Sequence, residues 1–327
     1  MKRENVIGRA NVADTPELEQ YYRALDGEAL GALWNVANEI EPWYPQPKSV
    51  PIIWKWNKVE PFVRRAPELV SAEKAARRVV MLVNPGRKEW SAAVGLLYTG
   101  VQVMNPGEFT SAHRHQASAL RFVMEGRGAY TVVDGERLEL GARDFVLTPN
   151  GTWHDHGVDA DGTQCVWQDG LDIPLMNSLD ANFYEVHPKV VQTPAPPNFV
   201  PRRENWSKPY SPVFLYKWDD AYKAVKKERV HEYRNPLTGG PVMPTMGARL
   251  EMIKESKPVR HTGSVIYQVA AGRGWSEIGD QRFEWEEKDI FCVPAWTRYR
   301  HGAHGEAVLF SFNDFPAMKA LALYREE

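Results

Sequence analysis

The stretch that decides the fold is residues 113–157, which reads HRHQASALRFVMEGRGAYTVVDGERLELGARDFVLTPNGTWHDHG. Short runs rich in valine, leucine and aromatic residues alternate with glycine, aspartate and asparagine, as in strands joined by tight turns. Little of it has the 3.6-residue period of a helix. The stretch therefore predicts part of a β-sandwich or barrel. It also carries four of the nine histidines, in two pairs, each with one residue between its members.

A later part of the chain repeats this pattern. SALRFVMEGRGAYTVVDGERLEL, which begins at Ser118, aligns with SVIYQVAAGRGWSEIGDQRFEW, which begins at Ser264. These serines lie 146 positions apart, whereas Asp144 and its counterpart Asp289 lie 145 apart, so we expect one residue to be missing from a turn near the middle hairpin. Repeated β units of this size imply a duplicated small barrel.

The remaining segments give the predicted domain plan. Residues 1–90 are expected to form a helical and extended segment that packs on the barrels, with an N-cap at Thr15, a short helix from Ser71 to near Arg78, and a buried strand over residues 79–83. Residues 91–175 form the first barrel and residues 246–327 the second. The proline-rich residues 176–245 are predicted to be a linker region.

Composition excludes several classes of protein. The 327 residues include 40 basic and 42 acidic ones, without a basic block that suggests nucleic acid or an anionic membrane as partner. The chain starts without the apolar core of a signal peptide, contains no run of 18 apolar residues, and has two cysteines that form no disulfide framework. We therefore expect a cytoplasmic protein.

The paired histidines predict a metal site. Alternate residues of a strand share a face, so His113 and His115 can point into one cavity, and His154, on a later hairpin, supplies a third nitrogen. A lone H-x-H is more commonly a surface or hydrogen-bonded pair, but here turn glycines flank it and P-x-G-x-x-H follows. Imidazole suits iron, zinc, copper and nickel, so the ligands alone leave the metal open.

These motifs resemble those of a known family. G-x5-H-x-H, ending at His115, and P-x-G-x-x-H, ending at His154, resemble the two cupin motifs. Together with DGLDIPLMN (169–177) and AVLFSFNDFP (307–316), they resemble the bicupin family of gentisate 1,2-dioxygenases, which includes enzymes for salicylate and 1-hydroxy-2-naphthoate. The likeness runs from about residue 75 to the C-terminus. It implies a mainly β bicupin, with two tandem cupin barrels and an N-terminal helical extension.

The resemblance also implies one Fe(II) per chain, held in the first cupin by the three histidines. The glutamate common in cupin motif one is absent, since Ala119 and Leu120 stand there, which agrees with a three-histidine centre. In the second repeat the ligand positions hold Val259, His261 and Tyr299, so that barrel is expected to hold no metal. His261 and His301 are expected to be structural.

Substrate residues are assigned by the same resemblance. Arg121 is implied to hold the substrate carboxylate, although it follows His115 by six residues and needs a bend or a neighbouring strand to come near. His156 is implied to act as acid/base or as hydrogen-bond partner of the substrate hydroxyl; the alternative is a structural partner of Asp155 or of a backbone carbonyl.

Three more residues are implied to line the pocket: Arg77, which Arg78 could replace in the alignment, Gln102, and Asp169. Asp169 could orient a basic residue, or be only a turn residue before Gly170. Gly151 stands where the family often has a bulky tryptophan, which reshapes the pocket mouth.

The expected activity is Fe(II)-dependent, extradiol-type cleavage of gentisate between the carboxyl-bearing and the adjacent hydroxyl-bearing carbon, with both atoms of O2 incorporated. The alternatives are the same reaction on salicylate, a substituted salicylate such as 5-nitrosalicylate, or 1-hydroxy-2-naphthoate. From other classes, a cupin isomerase usually keeps the missing glutamate, and a non-catalytic cupin usually loses its ligands in both barrels. The resemblance further implies a homo-oligomer, commonly a tetramer.

Overall fold

The structure is a computed structural model that describes residues 15–195 and 207–327. The chain divides into two compact units, with the boundary between Gln46 and Pro47. The first unit contains helices α1 (Pro16–Gly27) and α2 (Leu33–Ile40). Thr15 caps α1 as predicted, because its hydroxyl accepts a hydrogen bond from the Leu18 amide at 3.2 Å. The helical prediction for residues 1–14 and the linker prediction for residues 196–206 lie outside the described residues.

The second unit contains two barrels, joined and flanked by helices. The helices are α3 (Trp56–Leu69), α4 (Ala72–Ala75), α5 (Ile173–Ser178), α6 (Trp218–Glu228) and α7 (Phe315–Ala320), with a 3-10 helix at Pro85–Trp90. None of the helices in the described residues combines the length and apolar character needed to cross a membrane.

The first barrel is built from two antiparallel sheets that face each other. Its strands are β2 (Val79–Met81), β3 (Tyr98–Met104), β4 (His113–His115), β5 (Ala119–Glu125), β6 (Ala129–Val133), β7 (Glu136–Leu140), β8 (Phe145–Thr148), β9 (His154–Val158), β10 (Cys165–Leu171), β11 (Tyr184–Val186) and β12 (Leu215–Tyr216). One sheet has the order β12-β8-β5-β10-β3-β2 and the other has the order β11-β4-β9-β6-β7.

The second barrel repeats this plan with fewer strands. Its strands are β1 (Ile52–Trp54), β13 (Val230–Tyr233), β14 (Gly247–Met252), β15 (Val265–Ala271), β16 (Arg273–Ile278), β17 (Gln281–Glu286), β18 (Ile290–Val293), β19 (Tyr299–Ala303) and β20 (Val308–Asn313). The sheets have the orders β1-β18-β15-β20-β14-β13 and β17-β16-β19. The mainly β bicupin predicted from the sequence is confirmed.

Each barrel receives one strand from the segment that precedes the other barrel. β1 precedes the first barrel but pairs with β18, and β12 precedes the second barrel but pairs with β8. Asp289 accepts a hydrogen bond from the Trp56 amide at 2.7 Å, and Asp144 accepts one from the Trp218 amide at 2.9 Å. The repeated aspartates therefore fasten the starts of α3 and α6, each to the opposite barrel.

The broad sheets of the two barrels pack against each other. The rings of Phe122 and Phe310 stack with centroids 4.1 Å apart. Gly170 leaves room for this contact, since a β-carbon there would lie 2.6 Å from Phe312 Cζ and 2.8 Å from Leu120 Cδ1. The outer face of the broad sheet of the first barrel is thus buried, and its inner face borders the barrel interior.

Several local predictions were wrong. Helix α3 was not predicted, because its two internal prolines (Pro61 and Pro67) masked a helix that buries Val63 completely. The helix capped by Ser71 ends at Ala75, because Ala76 has φ +53°. The buried strand predicted over residues 79–83 is β2, which is half-exposed because it pairs only with β3 at the edge of its sheet.

The prediction that one residue is missing from a turn of the second repeat was correct, but the turn lies elsewhere. Ala129 pairs with Val158, and Gly274 pairs with Ala303, so both pairs are related by 145 positions. The missing residue therefore lies in the glycine turn before β6 and β16, and Gly274 corresponds to Ala129 rather than to Gly128. The described part of residues 176–245 contains β11, β12, α6 and β13, so it contributes to the sheets rather than only connecting them.

Candidate metal centre and substrate cavity

Two strands bring three histidines together inside the first barrel. In β4, His113 and His115 are buried while Arg114 between them is not, which is the alternation expected of a strand. β9 pairs with β4 at His113 and His154. The ring centroid of His154 lies 4.3 Å from that of His113 and 4.7 Å from that of His115. One nitrogen of each ring lies within 4.8 Å of the other two, so the group could hold a metal ion.

Backbone carbonyls fix the three imidazoles in one orientation. The Nδ1 atoms lie 2.7 Å from Ser111 O, 2.7 Å from Ala117 O and 3.0 Å from Thr152 O, for His113, His115 and His154 in that order. Because a carbonyl can only accept, each Nδ1 carries the proton and each Nε2 keeps its lone pair. Second partners of this kind hold imidazole ligands in proteins that bind metals.

The three Nε2 atoms are buried and hydrogen-bond to nothing within the part of the chain that the structure describes. Burial lowers the pKa of His113 to about 3 and of His115 to about 4, and it lowers the pKa of His154 well below its usual range. Buried acceptors without partners are costly. Three neutral, converging imidazole lone pairs fit a divalent transition-metal ion.

The equivalent position in the second barrel is closed. His261 retains the orienting contact, with Nδ1 2.8 Å from Gly263 O, but its Nε2 lies 3.0 Å from the Tyr299 hydroxyl. Val259 offers no ligand atom. In residues 15–195 and 207–327, the first-barrel histidines are the one group of three or more His, Cys, Asp or Glu with ligand spacing.

We therefore expect the chain to bind one equivalent of metal. Full-length protein loaded with excess Fe(II) under anaerobic conditions and desalted should retain about one iron per chain by elemental analysis. His113→Ala should reduce that content to near zero, whereas His261→Ala should leave it unchanged. Two tightly bound equivalents, or loss of iron in His261→Ala, would contradict a single centre in the first barrel.

Arg121 reaches the inner face of the barrel because the chain changes sheets between His115 and Ala119. β4 belongs to one sheet and β5 to the other, so the six-residue separation crosses the barrel instead of running along one strand. Arg121 is 1% exposed, and its Nε lies 3.1 Å from Asp169 Oδ1. Burial lowers its pKa to about 10, so the guanidinium stays charged at neutral pH. Its Nη1 also donates to Thr148 Oγ1 at 3.1 Å.

Asp169 is not a turn residue. It lies within β10, where it pairs with Arg121 on β5 and with Gly100 on β3. Burial raises the pKa of Asp169, and the positive charges of Arg121 and Arg77 act against that shift. The structure thus places Asp169 where it holds the Arg121 side chain.

The two adjacent arginines point in different directions. Arg78 pairs with Glu108, and its Nη1 donates to Glu108 Oε1 at 2.9 Å. Arg77 lines a cavity of about 900 Å³ together with Arg121 and Asp169. Its charge also lowers the pKa of His113 and of His115, after the larger effect of burial. Arg77, not Arg78, is therefore the arginine of the cavity.

His156 and Gln102 are both buried in the barrel. The Nδ1 of His156 lies 2.9 Å from Thr131 Oγ1, and its amide donates to Thr110 Oγ1 at 3.0 Å. Its Nε2, like both polar side-chain atoms of Gln102, has no hydrogen bond among the described residues. Asp155, the alternative partner, accepts instead from Gln192 at 3.0 Å. His156 therefore keeps one ring nitrogen available. Its ring centroid lies 5.5 Å from that of His154.

Sequence reasoning missed four residues of this site. Tyr98 and Tyr184 line the cavity, and the Tyr184 ring stacks on His113 with centroids 5.2 Å apart. Thr131 and Thr148 hydrogen-bond His156 and Arg121. Tyr98 could have been found by counting by two along β3 from Gln102. Tyr184 could not, because β11 lies in the segment that was predicted to be a linker.

Fold and site together define a cupin with a three-histidine centre beside a cationic cavity. The family model for the cupin domain matches residues 100–174. The chain is 36% identical to gentisate 1,2 dioxygenase 1 of Aquipseudomonas alcaligenes over 96% of this chain and 97% of that protein. It is 32% identical to 5-aminosalicylate 1,2-dioxygenase of Comamonas sp over 95% and 90% of the two chains.

The solved structures agree. Salicylate 1,2-dioxygenase from Pseudoaminobacter salicylatoxidans, as its adduct with gentisate, matches with a TM-score of 0.92 and 30% identity over 100% of this chain and 98% of that one. The chain belongs to the gentisate 1,2-dioxygenase family of ring-cleaving bicupin enzymes. The family resemblance drawn from the sequence motifs is confirmed.

Proposed function

We propose that this chain is an Fe(II)-dependent 1,2-dioxygenase that opens gentisate between its carboxyl-bearing carbon and the adjacent hydroxyl-bearing carbon, incorporating both atoms of O2. The observation that carries the proposal is that a candidate metal site and a cationic cavity lie next to each other in one barrel. Three unpaired, neutral imidazole nitrogens converge in a group that could hold a metal, and the adjacent cavity contains Arg77 and Arg121. Relatives named for gentisate support the choice of substrate.

His113, His115 and His154 would hold the iron, and residues 91–175 would form the metal-binding cupin. Bound Fe(II) supplies open coordination positions and redox chemistry with O2, so that a chelating 2-hydroxybenzoate and O2 can be held side by side. The ligands add no negative charge, so the centre favours an anionic substrate. Residues 246–327 would form the second cupin, which has no complete metal site.

Arg121 would bind the substrate carboxylate through its guanidinium, which offers parallel donors to a planar acceptor. Asp169 lies against Nε and Thr148 accepts from Nη1, which leaves Nη2 and the second hydrogen of Nη1 for the carboxylate. Arg77, which lies just before the edge strand β2, would supply a second positive charge to the same cavity. Because these charges lie largely out of water, their attraction for the carboxylate is stronger than it would be at the surface.

His156 would hold the substrate hydroxyl. Burial, together with the charge of Arg121, lowers the pKa of His156 well below its usual range, so the ring is neutral in the free chain. Thr131 fixes the ring through Nδ1, and Nε2 is left for the hydroxyl or its proton. Gln102, buried with an unpaired amide, would contribute a further hydrogen bond.

The second candidate is the same reaction on salicylate or a substituted salicylate, or on 1-hydroxy-2-naphthoate. It is favoured by the solved salicylate 1,2-dioxygenase and by the curated relatives named for 5-aminosalicylate, 5-nitrosalicylic acid and 1-hydroxy-2-naphthoate. We further propose that the chain forms a homo-oligomer, a tetramer, whose mass light scattering would measure, and a cytoplasmic location stays a prediction.

A substrate panel tests the proposal. Oxygen uptake by the iron-loaded chain should be fastest with gentisate, because its 5-hydroxyl raises electron density in the ring. It should be slower with salicylate, 5-substituted salicylates and 1-hydroxy-2-naphthoate, and absent with benzoate and 3-hydroxybenzoate, which lack the ortho hydroxyl. A salicylate that outpaced gentisate would select the second candidate. Uptake with benzoate would contradict the chelation argument.

A further inference from the structure

The second barrel encloses a polar cavity of about 480 Å³ that no metal-site argument explains. Three side chains lie in a row across its broad sheet. Ser311 on β20 pairs with Arg249 on β14 and with Tyr267 on β15, so the three residues share one face of adjacent strands. His301 on the facing sheet lies against Tyr267, with ring centroids 4.8 Å apart.

All four side chains carry a buried polar atom without a hydrogen bond among the described residues, including Arg249 Nε and the Tyr267 hydroxyl. His301 is 4% exposed and Ser311 is fully buried. Neither His301 Nε2 nor Ser311 Oγ forms a hydrogen bond with any described residue. Arg249, Tyr267 and His301 line the cavity, and Ser311 lies between Arg249 and Tyr267 on the same sheet face. Buried polar groups are ordinarily paired, so these unpaired atoms indicate a ligand that pairs with them.

The hydrogen bonds of Ser276 identify His301 Nε2 as a donor. Ser276 Oγ accepts from Trp285 Nε1 at 2.9 Å and lies 2.7 Å from His301 Nδ1. Indole nitrogen can only donate, so the serine proton is free to go to His301 Nδ1. With this assignment Trp285 donates to Ser276 and Ser276 donates to His301 Nδ1. The imidazole proton then lies on Nε2, which is directed to the cavity.

The buried polar atoms at this sheet are mainly donors, whereas the carboxylates of Glu232, Glu255 and Glu326, which also line the cavity, are more exposed. Arg249, Tyr267, Ser311 and His301 can all donate. The carboxylate of Glu251 is the nearest acceptor to Arg249: its Oε2 lies 3.2 Å from Arg249 Nε but is not hydrogen-bonded among the described residues. A fitting ligand therefore carries a carboxylate for the donors and at least one hydroxyl for Glu251.

Apolar side chains complete the walls and indicate the body of the ligand. Ile253, Phe315 and Tyr324 line the same cavity. Such walls around a few convergent polar groups are typical of sites for small organic ligands. An aromatic ring would pack between them, with its polar groups directed to the sheet.

Ser276 and His301 stand where Thr131 and His156 do in the first barrel, 145 positions earlier, but the charged groups of the two barrels differ. Arg249 faces Ser311 across the strand pair, as Gly100 faces Asp169 in the first barrel. By the same register Glu251 stands where Gln102 does, and Tyr267 stands where Arg121 does. Arg249 therefore lies on β14, whereas Arg121 of the first barrel lies on β5. This difference is expected of a separate binding site rather than a decayed copy of the first.

We propose that the second barrel binds a small aromatic hydroxy acid, with its carboxylate held by Arg249, Ser311 and His301 and its hydroxyl held by Glu251. This site is independent of the proposed ring cleavage, since it shares no residue with the first-barrel cavity. Its failure and the failure of the proposed function are measured separately.

The test uses 4-hydroxybenzoate, which lacks the ortho hydroxyl needed to chelate a metal. Equilibrium dialysis of the iron-loaded Arg77→Gln, Arg121→Gln chain, in which both arginines of the first-barrel cavity are replaced, should show one bound equivalent. Adding Arg249→Gln should weaken binding at least about tenfold, as expected for a charge-assisted contact in a cavity. Adding Arg282→Gln, an exposed arginine in the same barrel, should leave binding unchanged.

Milder variants keep the test valid if loss of Arg249 unfolds the barrel. Ser311→Ala and Tyr267→Phe each remove one hydroxyl without altering charge, and each should weaken binding several-fold. Benzoate should bind more weakly than 4-hydroxybenzoate, because it has no hydroxyl for Glu251. Absence of binding to the Arg77→Gln, Arg121→Gln chain would overturn the proposal. So would binding that neither hydroxyl variant weakens, or equal affinity for benzoate.

Discussion

Replacement of His113 by alanine is expected to abolish oxygen uptake with gentisate and to remove the iron, while the chain stays folded. His113 contributes one of three converging Nε2 atoms, and its loss leaves two ligands. The fold does not need the ion, because an extensive apolar core spans the first barrel and its contact with the second, unlike in a zinc finger. The melting temperature should therefore fall by a few degrees at most, and activity should be lost completely.

The matched control is His304→Ala. His304 is exposed on the second barrel, where its Nε2 lies 2.9 Å from Glu284 Oε2. This variant should keep full iron content and activity. The comparison of iron by elemental analysis, melting temperature by circular dichroism and oxygen uptake separates a ligand from a structural histidine. Retention of iron and activity in His113→Ala would exclude His113 as a ligand.

Replacement of Arg121 by alanine should have the second-largest effect. It removes the cation assigned to the substrate carboxylate, and we expect kcat/KM to fall roughly a hundredfold to a thousandfold, as for a buried charge-assisted contact. It also leaves Asp169 buried without its 3.1 Å partner, which should lower the free energy of unfolding by about 3–5 kcal/mol. Iron content should be retained, because Arg121 is not a ligand.

Arg121→Lys separates the binding role from the structural one. Lysine keeps a positive charge for Asp169 but lacks the planar pair of donors, so stability should largely return while kcat/KM stays low. Arg127→Ala, an exposed arginine whose Nη2 donates to Asp161 O at 2.8 Å, is the control and should behave as the parent chain. Loss of iron with normal substrate binding after reconstitution would show that the role assigned to Arg121 is wrong.

The candidate metal centre could be predicted from the sequence because its determinants are local. Alternation along β4 places His113 and His115 on one face, and turn glycines show where the chain returns with His154. The duplication was readable because the turn and strand residues recur in order. The likeness of Asp144 and Asp289 was visible too, although their function in fastening α3 and α6 was not.

Other features depend on long-range contacts that no local pattern contains. The choice between Arg77 and Arg78 follows from the ion pair of Arg78 with Glu108, 30 residues away in sequence. The exchange of β1 and β12 between barrels depends on pairings with β18 and β8. Prolines made α3 look like extended chain, although packing of Val63 stabilises the helix.

The most direct test of the central claim is the fate of labelled oxygen. The iron-loaded chain, given gentisate under 18O2, should form one ring-opened product per O2 consumed, and mass spectrometry should find both labelled atoms in that product. Rapid quenching limits exchange with water, and a parallel reaction in 18O-labelled water with unlabelled O2 measures what exchange remains. A product that carries one labelled atom, or a ring that stays closed, would contradict dioxygenase cleavage by this chain.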